Sequence, residues 1–415
     1  MPVIDILLDI CRFSYETIKL KEYNEYTGVD EIKYSTVIVL KYNISGYVFS
    51  KIHPVSEFLM QWSSFEPNTM KIKAVYLSSF LNYIVFQRSN GIKINSLYDL
   101  KLKHASEYLN EYGKKVSRDT VKTCEEVLKQ FYYFMSKRGF LKHYGTDSFK
   151  VIDRKNGPPQ IDIDLEDVNY PNKEHRDLLR ELPLAQIIPF IEAAINFTPR
   201  IALGVYFQFF GGLRVGEIIN ISRASVERKG ISGINGLNIR LKRRNFRTDL
   251  KDTNSGGGVK KPRTQFIFPD RDGLIVTILK CHLEKYWAKD GSNALFVDKK
   301  GNAMSDSTYR RYFNKLRNMY IDMLISDKNA AVRNEGLRMQ SMSWSTHMGR
   351  GVFSNMVAEA TGNIAMLAKL RGDENYLSAL TYLVGTKKAR NCINELNTKM
   401  YDNMKTFALS EMEDK

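Results

Sequence analysis

Two spacing rules govern the hydrophobic positions of this chain, and the change from one to the other divides it. Near the start, Thr36-Val37-Ile38-Val39-Leu40 and Tyr47-Val48-Phe49 are short β-branched and aromatic runs of the kind found in strands. From 70 to 88 the spacing becomes helical, with Ile72, Val75, Tyr76, Phe80, Leu81, Ile84 and Val85 as the predicted inner face and Asn90-Gly91 as the stop. A second long helix is predicted after Ser117-Arg118-Asp119, which can cap it. Val121, Cys124, Val127, Leu128, Phe131 and Met135 form its stripe, and Gly139 ends it. Further helical segments are predicted over 184–196, 199–210, 269–285, 305–325, 352–360, 364–370 and 387–412. In the last of these Ile393, Leu396, Met400, Met404 and Phe407 line one side. Between them 236–242 alternates as a strand, 264–268 is its expected return partner, and a long basic connection with a Gly-rich tip at Ser255-Gly256-Gly257-Gly258 joins the two. The predicted fold class is mainly α with a small β-sheet or hairpin.

Asn156-Gly157-Pro158-Pro159, the acidic run 162–167 and Tyr170-Pro171-Asn172 oppose a continuous helix or core strand, so 146–183 is expected to be a linker. That gives an extension over 1–50, a helical domain over 51–145, a second domain over 184–390 and a terminal helix over 391–415. The length of 415 residues suits two or three domains, and 43% hydrophobic with 12% aromatic residues supplies their cores. No apolar run reaches the length of a membrane span, and 3–10 is interrupted by Asp5 and Asp9, so a soluble, unsecreted, cytoplasmic protein is expected.

The four cysteines (Cys11, Cys124, Cys281, Cys392) are scattered and are expected to be reduced and mostly buried. Six histidines with no metal-pair spacing argue against a zinc centre, and neither a metal nor a cofactor is expected.

Charge sharpens this picture. The net charge of +16 points to a polyanionic partner, and its distribution says where. Residues 1–50 hold five basic against seven acidic side chains, which does not suit a DNA contact; a packing extension or a protein contact fits better. Residues 51–145 hold fifteen against eight, and 240–263 nine against two. Lys71, Lys73, Lys114, Lys115, Arg118 and Lys122 can track a phosphate backbone from the first domain. Arg243 and Arg244 on the hairpin, and Arg310 and Arg311 interleaved with Tyr309, Tyr312 and Phe313, can do so from the second.

Four residues carry candidate chemistry. Phe209-Phe210-Gly211-Gly212-Leu213-Arg214-Val215-Gly216-Glu217 places an Arg at the end of an apolar run. Ser345-Thr346-His347-Met348-Gly349-Arg350 adds an imidazole and a second Arg, and Thr381-Tyr382-Leu383 adds a phenol. Two guanidinium forks, a proton carrier and an oxygen nucleophile are what a metal-free phosphoryl transfer requires. Glu217 reads as an orienting partner for an Arg, because a carboxylate beside a scissile phosphate would repel it.

This constellation resembles the tyrosine recombinase (phage integrase) family. The Arg214 stretch is similar to its first Arg box, His347-Met348-Gly349-Arg350 matches its His-x-x-Arg box, and Tyr382 stands at a fitting distance beyond. The resemblance implies a helical core-binding domain ahead of a catalytic one, the two closing on DNA as a clamp. It also implies cleavage and rejoining of double-stranded DNA through a 3′-phosphotyrosyl intermediate and a Holliday junction, without metal or ATP. It implies a hairpin Lys that protonates the leaving oxygen: Lys242 is the first choice, with Lys260 and Lys261 as alternatives. Where the family usually has His or Trp, this chain has Asp373. A tetramer on two DNA sites, with the terminal helix docked on a neighbouring protomer and an accessory DNA-bending factor, is a further implication, as is the origin of such a protein in a bacterial-type mobile element, nucleoid-associated when on DNA. A type IB topoisomerase shares the chemistry, and a non-cleaving DNA-binding or assembly protein could share the fold.

Overall fold

A computed structural model describes residues 11–24, 29–44, 47–64, 67–91, 94, 96–154, 158–172, 182–247, 249–250, 258–259, 261–361 and 364–372. The chain divides into two units, 1–175 and 176–415, each with its own core.

Unit 1 opens with a three-stranded antiparallel sheet, β1 (Cys11–Asn24), β2 (Val29–Ile44) and β3 (Tyr47–Ile52), in the order β1-β2-β3. Tyr15 pairs with Ile38 and Phe13 with Leu40, and strand alternation puts Phe13, Tyr15 and Ile38 on the face that joins the unit's core. Polar bonds tie this sheet to the helices. Asn82 exchanges two bonds of 2.8 Å with the backbone of Phe13, and Ser56 Oγ accepts from and donates to the backbone of Ile38 at 2.9 Å. A 3-10 stretch, Pro54–Trp62, then delivers Phe58, Leu59 and Trp62 inward.

The helices are α1 (Pro67–Ser89), α2 (Leu102–Gly113) and α3 (Arg118–Lys137). Every member of the stripe expected on α3 is buried. Ser117 occupies the N-cap position of α3, but its hydroxyl meets that of Thr120 at 3.0 Å rather than a backbone N–H. The inner face of α1 agrees with expectation in part: Phe80, Leu81 and Ile84 are buried as predicted, joined by Met70, Ala74 and Leu77, whereas Ile72 and Val75 are 41% and 38% exposed. Apolar residues lie nearly all round α1, so periodicity alone did not select a face; the small Ala74, skipped in the apolar count, sits at the contact.

Beyond α3, β4 (Lys150–Ile152) and β5 (Gln160–Asp162) form a short hairpin, and Phe149, Ile161 and Leu165 enter the same core. Asn110 holds the following turn through Asp167 O (2.8 Å) and Asn169 N (2.7 Å). The stretch expected as a linker is therefore packed on unit 1 at these points. Strands of three residues are too short to show a period among prolines and acids.

In unit 2, α4 (Leu184–Phe197) leads into α5 (Pro199–Gly211), whose residues from Ile201 onward are all buried, so α5 is the hub of the core. The short helix α6 (Val215–Ile218) follows, then the antiparallel sheet β6 (Val226–Arg228), β7 (Leu237–Leu241) and β8 (Arg263–Ile267). The expected hairpin pairing is present, from Leu237 with Ile267 to Leu241 with Arg263; β6 is an addition that the sequence did not announce. The helices α7 (Leu274–Lys285), α8 (Asp306–Ile325), α9 (Ala330–Ser341), α10 (His347–Thr361) and α11 (Ile364–Arg371) complete the unit. The protein is mainly α with small antiparallel sheets, as predicted.

No helix among the described residues is long and apolar enough to cross a membrane. Of the thiols, Cys124 is buried, Cys11 half-buried and Cys281 exposed, which corrects the expectation of mostly buried cysteines; Cys392 lies outside the described residues. Cys281 lies on α7 at the edge of the face formed by Ile278, Leu279 and His282 rather than within it, and one polarity-neutral residue gave no sign of direction.

Candidate active site

The first Arg box is placed by a helix stop. Gly212 closes α5 in the left-handed conformation (φ +64°), and its N–H donates to Gln208 O at 3.1 Å. A side chain there is excluded twice, by the backbone angle and because a Cβ would lie 2.4 Å from the Phe353 ring of α10. The chain turns sharply, and Arg214 becomes the N-cap of α6 with about a third of its side chain exposed.

Glu217, 1% exposed, is the carboxylate under this turn. Its Oε2 accepts from the Arg214 N–H at 2.9 Å, and its Oε1 from Arg214 Nη1 at a loose 3.4 Å. A shorter bond of 2.7 Å comes from Arg263 Nη1 on β8. Burial alone would raise this carboxyl's pKa, but the Arg263 bond and charge, with the Arg214 N–H and charge, outweigh it and hold the group below the usual carboxylate range.

The second box meets the first through Arg350. This side chain is 1% exposed; its Nη1 donates to Gly212 O, 138 residues away in sequence, and its Nη2 to Arg371 O at 3.1 Å. A buried guanidinium is costly unless its donors are paired, and here carbonyls from two different elements accept from Nη1 and Nη2. Gln208, fully buried on α5, links three helices: its Nε2 donates to Thr346 O at 3.2 Å and its Oε1 accepts from Tyr309 Oη of α8 at 3.2 Å. Gly349 lets α10 approach, since a Cβ there would stand 2.7 Å from the Gln208 side chain.

His347 starts α10 with an exposed side chain. Arg310 of α8 lies beside it, paired with Asp306 and donating to Thr346 Oγ1 at 3.4 Å. Partial loss of water lowers the His347 pKa, and the charges of Arg310, Arg214 and Arg350 lower it further, against Asp306.

On the hairpin, Lys242 is exposed beyond the end of β7, following Arg240 on the outer side of the sheet. Lys261 is half-buried with its Nζ shielded from solvent. The returning chain lies against α6, since a Cβ on Gly216 would stand 2.9 Å from Gly258 O. Lys260, Asp373 and Tyr382 lie outside the described residues.

The remaining cations named from the sequence are dispersed. Arg244 is held by Asn220 O (3.1 Å) and Ser225 Oγ (2.9 Å), while Arg243 and Arg311 are exposed. In unit 1, Lys73 lies 5.4 Å from the Trp62 ring; Arg118 and Lys122 lie 5.2 and 5.7 Å from that of Tyr170; Lys114 pairs with Glu111. Lys71 is half-buried and Lys115 exposed.

Gln208, Arg263 and Gln265 were missed from the sequence. A lone Gln within an otherwise apolar helix was the available signal for the first. Arg263 and Gln265 alternate on β8 with Ile267, which marks them as inward-facing once the register is known.

No protein family's sequence profile matches the chain, and neither does any curated protein sequence. Solved structures do. A XerH site-specific recombinase bound to difH substrate is similar over 80% of this chain and 82% of its own, at 16% identity and a TM-score of 0.51. Residues 82–397 of the Tn1549 transposon integrase, in complex with circular intermediate DNA, are similar over 78% of this chain and 94% of their own, at 16% identity and a TM-score of 0.51. The chain has the fold of the tyrosine recombinases.

Proposed function

We propose that this protein is a site-specific tyrosine recombinase, an integrase or transposase of a mobile element, that cuts and rejoins double-stranded DNA. The observation that carries the reading is the bond from Arg350 to Gly212 O: it brings the second Arg box to the turn that presents Arg214, with His347 inside the field of both. Fold likeness to a recombinase and an integrase determined on DNA supports it.

In this mechanism Arg214, already partly exposed, grips the non-bridging oxygens of one phosphate, and Arg350 joins it once its guanidinium is uncovered. Tyr382 Oη attacks phosphorus while its proton passes to neutral His347. The bond to the 5′-oxygen breaks, and that oxygen takes a proton from a hairpin Lys. Lys261 is the better assignment than Lys242, because its amine is shielded and it lies two residues before the strand that carries Arg263 to Glu217. The phosphotyrosyl bond conserves the energy of the diester, so rejoining draws on no nucleotide. Exchange between two duplexes would take four protomers, and the basic residues of unit 1 would add backbone contacts.

A pool of nicked duplexes of randomised sequence tests this. Wild-type protein should accumulate denaturant-resistant DNA adducts, and Tyr382→Phe should form none. Adducts that persist in Tyr382→Phe would move the nucleophile elsewhere, first to Tyr376, the nearest other tyrosine in sequence. Strand transfer between two duplexes, as opposed to relaxation of a supercoiled circle, separates recombinase from topoisomerase, and a protein that binds the pool without any adduct would be a non-cleaving relative.

A further inference from the structure

Glu217 receives two guanidiniums unequally. Arg263 Nη1 stands 2.7 Å from its Oε1, whereas Arg214 Nη1 stands 3.4 Å from the same atom. Arg263 is itself fixed on β8: its Nε donates to Gln265 Oε1 at 3.0 Å, and Gln265 Nε2 donates to Leu370 O at 2.7 Å. Gly372, with φ +67°, lies against Arg263 so closely that a Cβ would be 2.4 Å from Nε. Arg371 O, one residue earlier, receives Arg350. One side chain thus touches the carboxylate under the first Arg box and the turn that leads in sequence towards Tyr382.

A buried carboxylate within reach of a phosphate site has two possible fates. Left without a close cation it would draw in the nearest guanidinium, that of Arg214, and would repel the phosphate as well. Given its own cation it becomes a neutral pair that merely supports the turn. We infer that Arg263 is a positioning residue that takes up most of the charge of Glu217 and so weakens the competition between that carboxylate and the scissile phosphate for Arg214. The inference rests on the recombinase reading for its consequence, but the pairing it describes stands on geometry alone.

The test is a double-mutant comparison of adduct formation on the nicked pool. Arg263→Gln should slow the reaction by roughly 10- to 100-fold, by letting Glu217 capture Arg214. Glu217→Gln removes the charge that Arg263 serves, so the double variant should match Glu217→Gln alone and recover most of what Arg263→Gln lost. That comparison holds even where Arg263→Gln by itself folds poorly. A double variant about 10-fold or more below Glu217→Gln would overturn the inference, since Arg263 would then act other than through Glu217. If wild-type protein forms no adduct, the recombinase reading fails, and the pairing is then read by the 13C-carboxyl titration of Glu217. Its pKa should rise in Arg263→Gln, and an unchanged titration would overturn the pairing too.

Discussion

In unit 1 the basic residues between 71 and 122 surround their helices, with Lys114 against Glu111, Lys73 by the Trp62 ring and Arg118 with Lys122 by the ring of Tyr170. In unit 2 three cations of the candidate site, Arg214 at α6, Arg263 on β8 and Arg350 on α10, reach one buried carboxylate and the backbone carbonyls of Gly212 and Arg371. The two basic stretches, 51–145 and 240–263, have the same excess of positive charge. What distinguishes the candidate site is the burial of two of its cations, Arg263 with 15% of its side chain exposed and Arg350 at 1%. A solvated ammonium interacts weakly with its neighbours and is interchangeable with the next one, whereas a guanidinium without water depends on particular atoms at particular distances. Excess charge predicts a surface that attracts DNA; desolvated charge predicts a site.

The contrast can be broken by substitution, and stability gives the largest expected effect. Arg350→Ala should cost unit 2 about 3 kcal/mol in urea unfolding, because two buried carbonyls lose their donors and a cavity is left. Lys115→Ala in unit 1 should stay within about 0.5 kcal/mol. Equal losses at the two positions would mean that the Arg350 contacts do not support the core. Gly212→Ala comes next, at about 2 kcal/mol, since the left-handed backbone and the Phe353 ring both oppose a methyl group.

Proton chemistry supplies a smaller and sharper test. Neighbouring positive charge disfavours protonated imidazole, so His347 should stay neutral to lower pH than a free histidine. Arg310→Gln removes one of those charges and releases Asp306, and both changes favour the protonated form. The His347 pKa followed by NMR should therefore rise in Arg310→Gln, and a pH profile of adduct formation should move its acidic limb upward with it. A fall, or no movement, would take Arg310 out of the site and return it to a plain surface cation.

The smallest expected effect belongs to unit 1. Removing Lys115 or Lys122 singly should weaken binding of the nicked pool about equally across sequences and reduce the salt dependence by about one unit of slope each. No change in slope would assign these residues to solvent rather than to a phosphate backbone.

Much of this was legible in the residues. Helical spacing identified α3, α4, α5 and α8, alternation found the β7–β8 hairpin, and the two Arg boxes were visible as patterns because their spacing is local. Short strands were not legible, since a period of two needs more than three residues to appear. The inner face of α1 was legible only in its second half, at Phe80, Leu81 and Ile84, because apolar residues on several sides leave the choice to whatever packs there. Tyr382 and Asp373 were named from the resemblance to the recombinase family, and they fall outside the described residues.

Residue order by itself determined which chemical groups this protein possesses: two forked cations with an imidazole beside the second, a Gly able to end α5 in a left-handed turn, and a charge excess suited to a polyanion. Only the tertiary structure decided which of its many cations are desolvated, and against what. That Glu217 is shared, that Arg263 is its closer partner, and that Arg350 is bonded to the turn before Arg214 all follow from contacts between residues far apart in the chain. Such contacts leave no local pattern, because the free energy that selects them comes from burial and pairing of the whole unit.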